Sequence, residues 1–148
     1  MKTWILVADA CEARLFETFD AGRTLHLLNR FAHADSRAME AELTTDRPGS
    51  THSGAHRGIS TMEPHTAYKE AQAIEFAALL AEHLNLASRE ALFKALVLVA
   101  PPHFLGLIRK AINPATARLV TASMAKDLIN LSDEIIREHL AAAVWPGR

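Results

Sequence analysis

Residues 95–111, ALVLVAPPHFLGLIRKA, contain the transition that decides the fold. The first six residues, Ala95 to Ala100, are all apolar, which is typical of a strand buried on both faces of a sheet. Pro101-Pro102 ends that strand, and Pro102 is well placed to begin a helix, because the first residue of a helix needs no N–H donor. The inward face of this helix is marked by Phe104, Leu107, Ile108 and Ala111. A buried strand that passes directly into a helix predicts an α/β protein.

Three more strands are predicted towards the N-terminus. Thr3 to Ala10 is almost entirely apolar and resembles a second fully buried strand. Ala13 to Phe19 alternates between two faces, and Thr24 to Phe31 follows it after the turn Asp20-Ala21-Gly22-Arg23, where Gly22 supplies a positive φ angle. Three short strands joined by tight turns predict an antiparallel meander.

Two further helices and one strand are predicted, one helix before residues 95–111 and a strand and a helix after them. Thr66 to Leu84 has helical periodicity with Thr66 as its N-cap, Arg118 to Met124 is a strand, and Ser132 caps a last helix. The residues expected to face the core are Ala73, Ile74, Phe76, Ala77, Leu80, Ala81 and Leu84 in the first helix and Ile136, Leu140 and Ala143 in the last.

The element order is therefore β-β-β-α-β-α-β-α, which predicts an α/β fold with a five-stranded mixed sheet. Strands one, four and five can pair in parallel through right-handed crossovers, while strands two and three extend the sheet antiparallel. We expect a single three-layer domain over residues 1–148, with a long flexible loop at about 34–65. Ribonuclease-H-like domains and related domains of the translation machinery share this order, which is an analogy of fold and not of function.

Composition narrows the classes of function. The chain has 148 residues, a net charge of −1 and one cysteine, Cys11. A near-neutral chain has no overall field that would attract nucleic acid or a membrane, so any such contact depends on a local patch. A lone cysteine excludes an internal disulfide and a multi-thiolate metal site. The apolar run in MKTWILVADA is too short for a secretory signal, so we predict a cytoplasmic protein without membrane insertion.

The loop contains the histidines that invite a metal site. His52 and His56 have the spacing of a helical ligand pair, but Gly54 and Gly58 disfavour a helix there, so no metal is predicted. The alternative is an anion- or RNA-binding edge over the carboxyl ends of the strands, and a merely solvated edge is the other interpretation. The residues proposed for it are Arg47, His52, His56, Arg57, His65 and His103.

The sequence contains no complete catalytic constellation, which favours a protein that is not an enzyme, although single residues fit parts of one. A two-metal nuclease needs converging carboxylates; Asp9 at the end of the first strand fits, and Glu70 or Glu75 can reach from the helix. The fourth strand ends in Ala-Pro-Pro-His and has no carboxylate. No glycine-rich phosphate-binding motif occurs either, so no cofactor is predicted. The candidate catalytic residues are Asp9, His56 and His103.

Five stretches resemble the bacterial host attachment protein family, whose members are also described as proteins required for attachment to host cells. They are TWILVADACEARLFE, TDRPGS, MEPHTAYKEAQAIEFAALLAEHL, LVLVAPPHFLGLIRKAI and AKDLINLSDEIIREHL. The family often has a basic residue at the position of His103, and an acidic residue plus proline near Ala67-Tyr68. The resemblance implies a distant similarity to the middle domain of peptide-chain release factors, which carries a Gly-Gly-Gln tripeptide that is absent from this chain.

Two functions follow as hypotheses. The first is a non-enzymatic cytoplasmic binding protein that acts through RNA, the ribosome or a protein partner and has an indirect role in attachment. The second is a hydrolase of peptidyl-tRNA or RNA. The sequence leaves the oligomeric state open.

Overall fold

The computed structural model describes residues 1–33 and 64–147, and the side chains of all of these except Pro64 and His65. This part of the chain contains five strands and four helices. They are β1 (Thr3–Ala8), β2 (Glu12–Thr18), β3 (His26–Ala32), α1 (Pro64–Arg89), β4 (Ala95–Ala100), α2 (Pro102–Ala111), α3 (Pro114–Ala117), β5 (Val120–Ala125) and α4 (Asp133–Ala143). The predicted α/β class with a five-stranded mixed sheet is confirmed.

The sheet has the order β3-β2-β1-β4-β5. β1 pairs antiparallel with β2 and parallel with β4, so that Leu6 lies opposite Leu15 on one side and Leu98 on the other. β3 continues antiparallel beyond β2, and β5 continues parallel beyond β4. The two all-apolar strands, β1 and β4, are therefore neighbours at the centre, where both of their faces are covered.

Alternate residues of β1 enter two separate cores, because successive side chains of a strand point to opposite faces. Trp4 and Leu6 pack with α1 and α2 on one face of the sheet. Ile5 and Val7 pack on the other face with Ile136 of α4. The described chain thus has helices on both faces of one sheet.

The predicted element order lacks one helix, α3. The sequence Asn113-Pro114 does end α2, but it also begins a new turn: the Asn113 side chain accepts a hydrogen bond from Thr116 N at 2.8 Å, and Pro114 is the first helical residue. Asparagine as N-cap and proline at the next position are the usual start signals of a helix, so the same dipeptide terminates one helix and initiates another.

Three details of the helix predictions are wrong. α1 begins at Pro64, so Thr66 lies inside its first turn and is not the N-cap. Ile74 is 50% exposed, because it borders a groove between α1 and α2 that neither helix covers. Ala143 is exposed in the last turn of α4, while Ile136 and Leu140 are fully buried. The remaining loop residues, 34–63, lie outside the described residues, so its predicted flexibility stays a prediction.

A buried arginine on β2 joins the sheet to the segment that precedes α4. The Arg14 guanidinium donates to the carbonyl oxygens of Ile129 and Leu131 and pairs with the Asp133 carboxylate. Arg14 shares its face of β2 with Phe16, so its charge lies beside an apolar core and is compensated by these acceptors. This contact ties β2 to the residues immediately before α4 and to the first residue of α4.

α1 is the longest helix, with 26 residues. Its length is sufficient to cross a bilayer, but its surface carries charged residues such as Lys69, Glu75 and Glu82. Within residues 1–33 and 64–147, no helix combines the length and the apolar character that a membrane span requires.

Candidate functional site

One edge of the sheet brings together the chain segments that contain the sequence candidates. β1 and β4 are parallel, so their last residues, Ala8 and Ala100, lie at the same edge. β3 ends at this edge too, because β2 is antiparallel to both β1 and β3. We call this the carboxyl edge and define it by Asp9, His33, Glu70, Glu75 and His103. In open α/β sheets ligands bind outside the carboxyl ends of the strands, so this is the first place to examine.

Asp9 lies at the carboxyl edge and stabilises the turn between β1 and β2. Its Oδ1 atom accepts hydrogen bonds from Cys11 N at 2.8 Å and from Glu12 N at 2.9 Å. Its own N–H donates to the Glu12 carbonyl oxygen at 2.9 Å. An aspartate that binds the backbone two and three residues onward is a turn-forming device. Asp9 Oδ1 is therefore engaged by the main chain.

His103 forms a pair with Glu70 across the gap between α2 and α1. Its Nε2 atom lies 2.9 Å from Glu70 Oε1 and 3.0 Å from Oε2. Both side chains face solvent, with 69% of His103 and 44% of Glu70 exposed. The carboxylate places negative charge at the position where the sequence predicts an anion contact. Anion binding through His103 Nε2 therefore requires that this pair opens.

A second histidine–carboxylate contact, which the sequence did not indicate, lies at the end of β3. The His33 side chain is 8% exposed, and its Nε2 atom lies 3.6 Å from Glu75 Oε1. Its ring meets Phe76 edge to face at 5.5 Å, and its backbone N–H donates to the Cys11 carbonyl oxygen at 2.8 Å. The available sequence signal was weak: a polar residue directly after an alternating strand. The contact attaches α1 to the sheet at the carboxyl edge.

The carboxylates proposed for a nuclease lie at the same edge but each contacts a different partner. Asp9 binds the turn, Glu70 faces His103, and Glu75 faces His33. Among residues 1–33 and 64–147, no group of three or more His, Cys, Asp and Glu side chains is placed to hold a metal ion. In this part of the chain the structure does not bring the proposed ligands into one site.

The other candidates are not located by the structure. Arg47, His52, His56 and Arg57 lie outside the described residues, and their proposed roles stay predictions. His65 is the second residue of α1, and its side chain is not described. Of the residues proposed for an anion- or RNA-binding edge, His103 alone has a described side chain.

The comparisons with known proteins agree with the resemblance noted in the sequence. The model of a family described as "Protein required for attachment to host cells" matches residues 4–140. An uncharacterized protein from Rickettsia prowazekii (strain Madrid E), RP470, is 33% identical over 85 residues. That alignment covers 56% of this chain and 57% of the relative, so the chain spans little more than half of the relative's length. Because the family model covers nearly the whole sequence, the chain belongs to the family of proteins required for attachment to host cells.

Proposed function

We propose that this protein is a non-enzymatic binding protein that contacts RNA, and ribosomal RNA in particular, at the carboxyl edge of its sheet. The observation that carries the proposal is the engagement of the candidate catalytic groups. Asp9 Oδ1 accepts two backbone hydrogen bonds, and His103 faces Glu70. A two-metal nuclease needs carboxylates that converge on one site, and Asp9, Glu70 and Glu75 instead have separate partners.

The strand arrangement supports RNA as the partner. The order β3-β2-β1-β4-β5, with β1, β4 and β5 parallel and β2 antiparallel, is consistent with a ribonuclease-H-like or release-factor-middle-domain-like fold, which we propose for this chain. Release-factor domains of that type work on the ribosome. A shared fold supports a shared binding role more readily than a shared catalytic role, because catalysis depends on individual side chains.

The path of the chain also supports this edge as the contact surface. β3 ends there at Ala32, and the first turns of α1 lie there too, as the Glu70–His103 pair shows. The segment that carries Arg47 and Arg57 is therefore joined to the fold at the carboxyl edge on both sides. Lysine and arginine provide most of the affinity of proteins for nucleic acid through contacts with phosphate. We propose Arg47 and Arg57 as the principal cations, a cytoplasmic location, and an indirect role in attachment.

The test compares two double substitutions of equal charge. The protein is titrated into fluorescent single-stranded RNA at several salt concentrations and is co-sedimented with bacterial ribosomes. Arg47→Ala plus Arg57→Ala should weaken RNA binding at least about tenfold and lower the salt slope by about 2, because each phosphate contact contributes roughly 1. Arg89→Ala plus Arg118→Ala is the control, because Arg89 ends α1 and Arg118 precedes β5 at the opposite edge.

Two results would reject the proposal. The wild-type protein would bind neither RNA nor ribosomes, or the control pair would weaken binding as much as Arg47→Ala plus Arg57→Ala. The second result would mean that binding reflects total charge and not a site.

One observation favours a second function, hydrolysis of peptidyl-tRNA or RNA. The imidazole of His103 is exposed and is oriented by the Glu70 carboxylate, as in general bases that are positioned by an acid. Turnover of peptidyl-tRNA by the wild-type protein that disappears in both His103→Ala and Glu70→Gln would establish this function. Turnover lost in His56→Ala alone would instead locate the chemistry in the 34–63 segment.

A further inference from the structure

A row of exposed residues on α1 is not covered by any other element of residues 1–33 and 64–147. Ile74, Ala78, Glu82 and Leu86 are spaced four apart, so they form one ridge along the helix, and we call them the α1 ridge. All four are exposed; Ile74 is 50% and Leu86 is 47% exposed. Single exposed apolar residues are common in soluble proteins, but two large ones aligned on one helix ridge beside a groove indicate a contact surface.

The ridge borders a groove between α1 and α2. At one end it is lined by Ile74, Ala78, Leu107, Lys110 and Ala111 and has a volume of about 260 Å³. Four of these five residues are apolar, and Lys110 is the charged one. At Ala78 and Ala111 the groove continues into a second depression, which Glu82, Leu86 and Arg89 border. One side of the molecule thus has an apolar recess with Lys110 at one end and a projecting leucine at the other, where Glu82 lies on the α1 ridge and Arg89 lies beyond Leu86.

We infer that this surface binds a second copy of the same chain, with the two α1 helices antiparallel about a two-fold axis near the middle of the α1 ridge. The midpoint of the ridge lies between Ala78 and Glu82. Ile74 and Leu86 are each six residues from it, or about 9 Å along the helix. A two-fold axis there places Leu86 opposite the partner's Ile74 and its apolar recess, and places Glu82 opposite the partner's Ala78.

The charges support a second copy as the occupant. Lys110 borders the recess beside Ala78, so it faces the partner's Glu82, and the symmetry produces this ion pair twice. Among the residues that the structure describes, neither Glu82 nor Lys110 already takes part in an ion pair. An isologous dimer requires a self-complementary surface, in which a group on one copy meets its complement on the other copy and the reverse contact also forms. The dimer uses the helical face of the protein, so it does not depend on RNA binding at the carboxyl edge.

The experiment is a charge exchange monitored by sedimentation velocity and equilibrium over a range of protein concentrations. The wild-type protein should sediment as a dimer. Glu82→Lys and Lys110→Glu should each raise the dimer Kd about tenfold or more, because each replaces two attractive contacts with two repulsive ones. The double variant Glu82→Lys plus Lys110→Glu should recover dimerisation, because the pair is restored with its signs exchanged. Glu138→Lys is the matched control, because Glu138 is an exposed glutamate of α4, which packs on the other face of the sheet from α1.

An apolar pair of variants tests the recess independently. Leu86→Ser should dissociate the dimer, whereas Leu92→Ser should not, although Leu92 is similarly exposed at 41%. All of these side chains are exposed, so circular dichroism and thermal unfolding should show intact folds. A wild-type protein that is monomeric at its highest soluble concentration would overturn the inference. So would a dimer that survives Glu82→Lys and Leu86→Ser, or a double charge variant that is not rescued.

Discussion

Gly22 lies directly against the indole ring of Trp145, so the turn between β2 and β3 packs against the segment that follows α4. A Cβ atom added at Gly22 would lie 2.5 Å from Trp145 Cε3 and 2.6 Å from Cζ3. Gly22 also has a φ angle of +82°, where side chains other than glycine are strained. The sequence indicated a glycine for the turn conformation; the packing adds a second reason for it.

We expect Gly22→Ala to lower the free energy of unfolding by about 1–3 kcal/mol, because the new methyl group strains the backbone and displaces the indole. Urea denaturation at neutral pH measures this change. Gly106→Ala is the matched control: Gly106 is in α2, and a Cβ there meets nothing within 4 Å. It should raise stability by up to about 1 kcal/mol, because alanine is the better helix former. Equal stability of the two variants would contradict the packing role of Gly22.

Arg14→Met should lower the free energy of unfolding by about 2–4 kcal/mol. The methionine keeps the apolar part of the side chain but leaves the carbonyl oxygens of Ile129 and Leu131 without their guanidinium donor. Arg30→Met is the control, because Arg30 is the cross-strand neighbour of Arg14 on β3 and is exposed. That variant should stay within about 0.5 kcal/mol of the wild type. Similar losses in both variants would mean that the arginine contacts before α4 contribute little.

Two substitutions of Asp9 test whether this aspartate forms a turn or binds a metal ion. Asp9→Asn keeps an acceptor oxygen for Cys11 N and Glu12 N, so its stability should stay within about 1 kcal/mol of the wild type. Asp9→Ala removes the acceptor and should cost about 1–2 kcal/mol. Chemical denaturation with and without added Mg²⁺ is the measurement. A stabilising effect of Mg²⁺ that disappears in Asp9→Asn would instead indicate a metal ligand.

The turn after β2 should make the stability of the protein decrease at acidic pH, because it contains Asp20. Hydrogen bonds from Thr24 N and from the Thr18 hydroxyl lower the pKa of Asp20 from 3.8 to about 2. Because the folded-state pKa is the lower one, this contribution to stability is fully present above about pH 4 and is lost as the pH falls towards 2. Asp20→Asn cannot ionise, so the stability difference between wild type and variant should shrink over that interval. Unfolding curves at successive pH values would reveal it, and a constant difference would rule out this source.

The Glu70–His103 pair should contribute little to stability, because both partners are exposed and water screens their attraction. His103→Ala should therefore change the free energy of unfolding by less than about 1 kcal/mol. If the carboxyl edge binds RNA, Glu70→Gln should tighten that binding, because it removes a negative charge from the site. Fluorescence titration with RNA measures the change, and weaker binding by Glu70→Gln would show that the carboxylate itself contacts the partner.

Much of the fold was predictable because its signals are local. The apolar runs of β1 and β4 identify strands buried on both faces, and Pro102 and Ser132 identify where two helices begin. α3 was missed because Asn113-Pro114 is a stop signal and a start signal at once. The exposure of Ile74 could not be predicted, because helical periodicity shows which residues share a face but not how much of that face a neighbour covers.

The sequence by itself determined the five strands, three of the four described helices and the class of sheet, because hydrophobic period and capping residues act over a few neighbouring positions. Only the tertiary structure decided what the polar residues do. Asp9 stabilises a local turn. His103 pairs with Glu70 and His33 contacts Glu75, and both of these contacts join segments that are far apart in the chain. Such pairings depend on how helices dock on the sheet, and docking is decided by the whole core rather than by any local pattern.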